Sequence, residues 1–368
     1  MLKVETEPEI RFRDAALEPV WEKVASGDRL SEADGLSCLG TRDLVGLGRM
    51  ADYVARQRSG DRVYFTFNVH VNPTNVCVLS CKFCDFQAKV GDEHAYEFSI
   101  EDIVNQILPE VHEVHMVGGH HPTIPFEWYE ELIRTIKAER PSVQVKAFTA
   151  AEIDYFQKRF KLSDREVLTR LIEAGLDSMP GGGAEVFSER VRGELFRGKI
   201  GADRWIEIHH LAHELGLRSN ATLLYGHIET HAERVHHMIR LREAQDESGG
   251  WLCFIPLEYQ LGTTMLVPRQ ASPIDDLRTL ATSRLMLDNF PHVKAYWVMS
   301  GESTASIGLN FGADDLDGTI GTERIAHAAM ADSPLGLQRD RIVRLVRSAG
   351  KIPVERNATY DVLKVYDT

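Results

Sequence analysis

Three cysteines lie within eight residues of one another, and their spacing is typical of a metal-binding loop. Cys77, Cys81 and Cys84 form a C-x3-C-x2-C pattern directly after a segment of strand-like alternation. A [4Fe–4S] cube held by three thiolates keeps one iron open for a further ligand, whereas electron carriers usually ligate all four irons with cysteine. The pattern therefore favours an iron–sulfur cluster that takes part in catalysis.

The other two cysteines do not complete an evident zinc site. A structural zinc ion normally has four ligands, usually in two pairs that lie well apart in the sequence. Cys38 falls in a helical leader and Cys253 on an expected buried strand, and we expect both to be plain thiols. A zinc knuckle completed by His70 or His94 is the alternative to the cluster. The odd number of cysteines argues against a disulfide scaffold.

Glycine, histidine and acidic residues collect in loops that follow expected strands. The backbone of Gly118–His121 can approach a ligand closely, because its two glycines carry no Cβ. The three glycines before Glu185 predict a concave backbone in which that carboxylate accepts hydrogen bonds from ribose hydroxyls. With the cysteine loop and Tyr225–Glu229, these loops are expected to meet at one mouth, as in barrel enzymes. Ordinary turns and, at Glu229, a helix cap are the alternative interpretations.

Strands and helices alternate about eight times after the leader. Capping boxes mark several helix starts, such as Ser163 with Glu166, and Ser99 with Asp102 opens a helix expected to run through Val111. The expected strands are the segment before Cys77 and residues 113–117, 143–149, 176–179, 217–224, 252–257 and 293–299, with a weaker one near residue 315. This alternation predicts the α/β class and a TIM-type (β/α) barrel, full or partial, with an open wound sheet as the alternative.

Composition excludes several classes of protein. The 368 residues are 43% hydrophobic and 26% charged, which is ample for a large core and rules out a disordered chain. The formal charge of −13 gives no general attraction to nucleic acid or to an anionic membrane, so anionic ligands need a local pocket. No apolar run reaches 18 residues, and the first ten residues lack a signal-peptide profile. We expect a cytoplasmic protein without membrane insertion.

The cysteine motif resembles the signature of the radical S-adenosylmethionine (SAM) superfamily. That resemblance implies a full or partial barrel and a [4Fe–4S] cluster on Cys77, Cys81 and Cys84, whose open iron is chelated by SAM. Phe83 matches the aromatic position beside the adenine. Gly118, Gly119 and His120 match the element that meets the methionine amino group of SAM. Since His120 replaces an acidic residue there, the carboxylate contact does not carry over.

Longer segments resemble the radical SAM enzymes of the futalosine route to menaquinone, in the branch that forms 6-amino-6-deoxyfutalosine. They include MVGGHHPTIPFEWYEELI, AGLDSMPGGGAEVF and RSNATLLYGHIET. The resemblance implies that the adenosyl radical from SAM adds to 3-[(1-carboxyvinyl)oxy]benzoate, followed by rearrangement, decarboxylation and return of the electron, with SAM consumed. It runs over residues 60–356, which we expect to form the barrel between a helical extension (1–59) and a tail (357–368).

The substrate implied by this resemblance carries two carboxylates, so an acidic protein must present local donors to it. His121 and Asn220 are the first candidates, and the remaining ones lie at expected strand ends: Arg218, Ser219, His227 and Lys294. A flavodoxin- or ferredoxin-type protein is the expected reductant. There are three alternatives. The first is dehypoxanthine futalosine cyclase, and the second is an enzyme component of deazaflavin synthesis. The third is a non-catalytic iron–sulfur or zinc protein.

Overall fold

The computed structural model describes residues 10–367. The stretch on which the signal-peptide expectation mainly rests, residues 1–9, lies outside them. After a short 3-10 turn, three helices confirm the helical leader: α1 (Glu18–Ser26), α2 (Glu32–Gly40) and α3 (Leu44–Ser59). The side chains of Ser31 and Asp43 cap α2 and α3 by accepting hydrogen bonds from the first helical turn. Helix α3 packs on the later helix Pro273–Met286, so the leader covers the outside of the barrel.

Eleven strands follow among the described residues. They are β1 (Arg62–Thr66), β2 (Asn68–Val71), β3 (Glu113–Met116), β4 (Gln144–Ala147), β5 (Ser178–Met179), β6 (Arg218–Tyr225), β7 (Trp251–Glu258), β8 (His292–Val293), β9 (Asp315–Gly318), β10 (Ile352–Arg356) and β11 (Val362–Val365). Strands β2 to β8 form one parallel sheet in chain order. A second sheet has the order β11-β10-β1-β9, in which only β11 is antiparallel.

Strand β9 joins the two edges of the seven-stranded sheet. At one side it accepts from Ala295, just after β8, through the carbonyl of Asp315. At the other side the loop after β9 accepts a hydrogen bond from His70 of β2 through the carbonyl of Ile320. Because β9 also pairs with β1, the parallel strands surround a common interior. The predicted TIM-type barrel is thus confirmed.

The connecting helices alternate with the strands. They are α4 (Ile100–Asn105), α5 (Phe126–Glu139), α6 (Ala150–Phe160), α7 (Asp164–Ala174), α8 (Glu189–Leu195), α9 (Ala202–Glu214), α10 (His231–Ser248), α11 (Pro273–Met286), α12 (Trp297–Gly308), α13 (Ile325–Ala328) and α14 (Arg339–Ser348). The capping boxes at Ser99 and Ser163 are present. Two expected boundaries are wrong: α4 ends at Asn105 instead of running through Val111, and residue 297 begins a helix instead of continuing a strand.

Successive strand residues point alternately outward and inward. Val114 and Val145 belong to the apolar core between sheet and helices, whereas His70, His115 and Lys146 pair in register across β2, β3 and β4 and face the interior. The barrel interior is therefore polar. No helix of residues 10–367 is long and apolar enough to span a membrane.

Candidate active site

One cavity occupies the mouth of the barrel and encloses about 1750 Å³ of empty space, counting the part open to solvent. Its walls come from three of the four loops expected to converge. These are the cysteine loop after β2, the glycine loop after β3 and the Gly181–Glu185 loop after β5. The fourth loop, Tyr225–Glu229, does not line the cavity. Its Glu229 accepts from the backbone N–H of Gly226 and pairs with Arg234 at 2.7 Å, and the N-cap of α10 is the next residue, Thr230.

The cysteine loop is held by backbone hydrogen bonds on both sides of its first thiol. Cys77 N–H donates to the carbonyl of Ala88 at 2.9 Å, and Val78 N–H donates to the carbonyl of His120 at 3.0 Å. Cys81 is buried, and Cys77 and Cys84 are half-buried at the cavity wall. Burial raises the pKa of the Cys81 thiol to about 11. Metal coordination deprotonates such thiols outright, so these groups suit a bound metal cluster.

Gly119 sets how closely the glycine loop approaches the cysteine loop. A Cβ at this position would lie 2.1 Å from the carbonyl oxygen of Val76, immediately before the first cysteine. The N–H of Gly119 donates to the carbonyl of Thr74 at 2.9 Å. Gly118 is also tight, since its Cβ would meet the carbonyl oxygen of Thr74 at 3.2 Å. Both glycines line the cavity, so they serve loop packing as well as access to a ligand.

A half-buried ammonium group lies beside the thiols. Lys199, between α8 and α9, pairs with Glu185 at 2.5 Å and lies 5.6 Å from the ring centre of Phe83. Burial lowers the pKa of Lys199, but Glu185 and Cys81 raise it by a larger amount. The pKa therefore lies above its ordinary value, and the group stays charged. Lys199 was not among the predicted site residues, because no local sequence pattern marks a lysine from a loop far along the chain. Glu185, expected to bind ribose, is here the partner of this lysine.

His120 and Glu152 lie at the same wall. His120 stacks on Tyr155 with 4.8 Å between ring centres, and burial lowers the pKa of His120 to about 3, so the ring is neutral. Glu152, at the start of α6, accepts hydrogen bonds from the N–H groups of Gly118 and Thr149. Burial raises the pKa of Glu152 to about 7. A carboxyl group is thus present at the glycine loop, although it comes from the next strand–helix connection.

His121 does not line the cavity, contrary to its expected role as a donor to substrate. Its Nε2 lies 2.8 Å from a carboxylate oxygen of Glu97, and its Nδ1 accepts from the N–H groups of Thr123 and Ile124. Both ring nitrogens are therefore used to hold the loop before α5. The physical reason is that the two neighbouring side chains of this irregular segment face different sides, His120 towards the cavity and His121 towards Glu97.

Asn220 and Lys294 are the two carboxylate-donor candidates that reach the cavity. Asn220 lies on β6, is almost fully buried and lines the cavity wall. The remaining candidates are engaged elsewhere: Arg218 with the carbonyl of Gly249, Ser219 with His209 and His213, and His227 with the carbonyl of Leu224. Among the described residues, the structure thus keeps two of the six candidates at the cavity.

The cavity floor consists of polar side chains inside the barrel. The rings of His70 and His115 lie 4.5 Å apart, and Lys294 pairs with Asp317 at 2.9 Å. Burial lowers the pKa of both histidines, and each therefore has a neutral ring. Only alternation along the strands pointed to this inward position for His70 and His115. Asp317 belongs to β9, which was the weakest expected strand.

The donor set fits a [4Fe–4S] cluster. Three thiols at one wall supply three thiolates, and the Lys199 ammonium group balances part of their negative charge. Within residues 10–367, no three His, Cys, Asp or Glu side chains stand close enough to hold a single metal ion. His70 stacks against His115, and His94 contacts the carbonyl of Gln87, so neither candidate fourth ligand stands with the thiols. The zinc alternative therefore has no support in these contacts.

Barrel, cysteine loop and glycine loop together define a class of enzyme. Residues 71–241 match the radical SAM superfamily, and residues 248–368 match the C-terminal region described for CofH/MqnC. The chain belongs to the radical SAM superfamily, whose members use a [4Fe–4S] cluster and SAM.

Full-length relatives narrow the comparison. An aminodeoxyfutalosine synthase of Thermus thermophilus is 47% identical over 97% of this chain and 98% of its own length. A second aminodeoxyfutalosine synthase, from Streptomyces coelicolor, is 42% identical over 94% of each chain. The crystal structure of methylornithine synthase has the same fold, with a TM-score of 0.71, 18% identity, and coverage of 91% of this chain and 97% of that one.

Proposed function

We propose that this enzyme joins SAM to 3-[(1-carboxyvinyl)oxy]benzoate and forms 6-amino-6-deoxyfutalosine, methionine and carbon dioxide. One observation carries the proposal: nearly the whole chain aligns at 47% identity with an aminodeoxyfutalosine synthase. The overall reaction is redox-neutral, because the electron that starts it is returned at the end. SAM is therefore a consumed substrate, and a carbon–carbon bond is the outcome.

The cavity wall would hold the cluster and SAM. Cys77, Cys81 and Cys84 would each donate a thiolate, and the cluster, when bound and reduced, supplies the electron that cleaves SAM to methionine and a 5′-deoxyadenosyl radical. Lys199 offsets negative charge at this wall. We propose that Phe83 and the backbone of Gly118, Gly119 and His120 border SAM, and that Glu185 orients Lys199 as well as approaching the ribose.

The rest of the cavity would position the second substrate and keep water away. The vinyl carbon has to lie about 3–3.5 Å from the carbon that attacks it. Water must be excluded, because a primary radical is readily quenched by hydrogen donors. Asn220 has no partner among the described side chains at this wall and is free to donate to a carboxylate. Burial and, to a smaller extent, the charge of Asp276 raise the pKa of Glu258 to about 8. This lining residue therefore does not repel an anionic substrate at pH 7.

The surroundings of the cysteine loop support a protein reductant of the flavodoxin or ferredoxin type. Lys82 and Lys89 are exposed on this loop together with Val78, which is 47% exposed. A basic rim with an apolar centre suits docking of an acidic electron carrier. We also propose that the enzyme is cytoplasmic and does not bind nucleic acid. Its proposed parts are the helical extension (1–59), the barrel (60–356) and the tail (357–368).

The test is an anaerobic reaction of the reconstituted, reduced enzyme with SAM and the enolpyruvyl-oxybenzoate, followed by mass spectrometry. We expect about four iron and four sulfide per chain and a product that retains the adenosyl group. If free 5′-deoxyadenosine were the only nucleoside product, the radical would abstract hydrogen, as in the alternative enzymes, and the proposed substrate would be wrong. An intact cluster without any cleavage of SAM would contradict the proposed chemistry as a whole.

A further inference from the structure

The floor of the cavity has a buried polar nitrogen without a partner. Nε2 of His70 is buried and makes no hydrogen bond to any residue that the structure describes, although the ring lines the cavity. Buried polar atoms in native proteins nearly always have a partner, which is a protein group, a water molecule or a ligand. The ring is fixed by His115, whose ring lies 4.5 Å away. The orphaned nitrogen is therefore available to a ligand group at the floor.

The acidic groups around His70 are paired with basic ones, so they do not exclude an anionic ligand there. Lys294 contacts Asp317 at 2.9 Å and Asp315 at 3.6 Å, and Asp315 in turn contacts Arg356 at 2.6 Å. Below them, Lys146 pairs with Glu113 at 2.7 Å. These three acidic groups thus face three basic groups, and Glu323, a fourth carboxylate that lines the cavity, pairs with His327 at 2.8 Å. An ammonium group has three N–H donors, and Lys294 has one left for a further acceptor.

The floor lies deeper in the barrel than the cysteine loop. His70 and His115 are inside β2 and β3, whereas Cys77 and the glycine loop come after the ends of these strands. A ligand that reacts beside the cysteine loop therefore reaches the floor with its opposite end. In the proposed substrate, the vinyl group carries the carboxylate that leaves, and the ring carries the one that is retained.

We propose that His70 and Lys294 bind the aromatic carboxylate of the substrate, with His115 holding the His70 ring in place. This assignment rests on the proposed function. It gives the two carboxylates of the substrate different surroundings, because only one of them is lost in the reaction. Strong donors stabilise a carboxylate that must be kept, whereas the same donors on the departing carboxylate would stabilise the ground state and slow its loss.

The test compares two substrates in the full-length holoenzyme. One is 3-[(1-carboxyvinyl)oxy]benzoate, and the other is the same enol ether of phenol, which lacks the aromatic carboxylate. His70→Leu removes the donor, His70→Gln keeps an N–H near the position of Nε2, and His236→Leu on the exposed side of α10 is the matched control. Iron content and circular dichroism establish that each variant is folded and loaded.

We expect His70→Leu to raise KM for the benzoate substrate by roughly 10- to 100-fold, the range for a hydrogen bond to a charged group. His70→Gln should recover most of this loss, and KM for the phenol ether should be unchanged in every variant. An equal change in KM for both substrates, or no change for either, would overturn the assignment.

A measurement on the unmodified enzyme keeps the proposal testable if His70→Leu does not fold. 3-Methoxybenzoate, which has the aromatic carboxylate but no vinyl group, should compete with the substrate, whereas anisole should not. Equal inhibition by both would contradict the assignment. If the unmodified enzyme made no adenosyl-containing product, the proposed function itself would fail, which is a different result from either outcome above.

Discussion

Replacing Gly119 by alanine should disrupt the packing of the cysteine loop. The added Cβ would lie 2.1 Å from the carbonyl oxygen of Val76, and ordinary contact begins at 3.4 Å, so the two backbones must separate by about 1.3 Å. Both atoms belong to the backbone or are fixed to it, and no side-chain rotation relieves the contact. Overpacking of this kind costs about 1–3 kcal/mol, and we expect the upper end because neither loop can turn aside.

The assay combines denaturant unfolding with iron and sulfide analysis after anaerobic reconstitution. Gly119→Ala should lower the free energy of unfolding by about 3 kcal/mol and reduce cluster content, since the displaced segment leads directly into Cys77. Gly198→Ala is the control, because its Cβ would meet only a methyl group of the flexible Leu79 side chain, at 3.3 Å. Wild-type stability together with full cluster content in Gly119→Ala would refute this account of the glycine.

Three other predictions concern the thiols and two ion pairs. Cys77→Ser should abolish stable cluster binding, measured by iron analysis, whereas Cys38→Ser should keep it because Cys38 is buried in the leader. Lys199→Met leaves the half-buried Glu185 without its partner, so we expect a loss of about 1–3 kcal/mol in unfolding and a more negative cluster potential in a spectroscopic titration. Burial raises the pKa of Glu229, but His227 and Arg234 lower it to about 2 in total. Its stabilisation of about 3 kcal/mol is therefore present above pH 4.5 and disappears as the pH falls towards 2, so Glu229→Gln should be destabilised at pH 7 but much less at pH 3.

Local signals made most of the fold predictable. Ser163 and Glu166 sit three residues apart at a helix start, and the structure shows the reciprocal hydrogen bonds that this spacing implies. Boundaries without such a signal were less accurate. The apolar stretch from Val293 to Met299 fits a buried strand or a buried helix equally well, and its strand includes only one of these residues. Tertiary packing decides such cases.

The residues of the candidate site also differ in whether a local sequence signal marks them. Cys77, Cys81 and Cys84 follow one another in a single loop, so their spacing alone indicated the chemistry. Lys199 reaches the thiols from far along the chain, and no sequence pattern marks it. His121 shows the opposite error, because its neighbours in sequence suggested a place at the cavity, whereas its ring contacts Glu97 outside the cavity.

The polar interior explains why a barrel of this kind can hold a reactive anionic substrate. A TIM-type barrel is usually filled by layers of branched apolar side chains, which leave no room for a ligand below the mouth. Here the apolar core lies between the sheet and the helices, and the interior carries paired groups such as Lys146 with Glu113. A buried pair of this kind contributes little net stability compared with apolar packing, so its retention indicates a different benefit. By neutralising the floor, the pairs leave Lys294 and His70 as donors for a carboxylate that would otherwise be repelled by the strongly acidic chain.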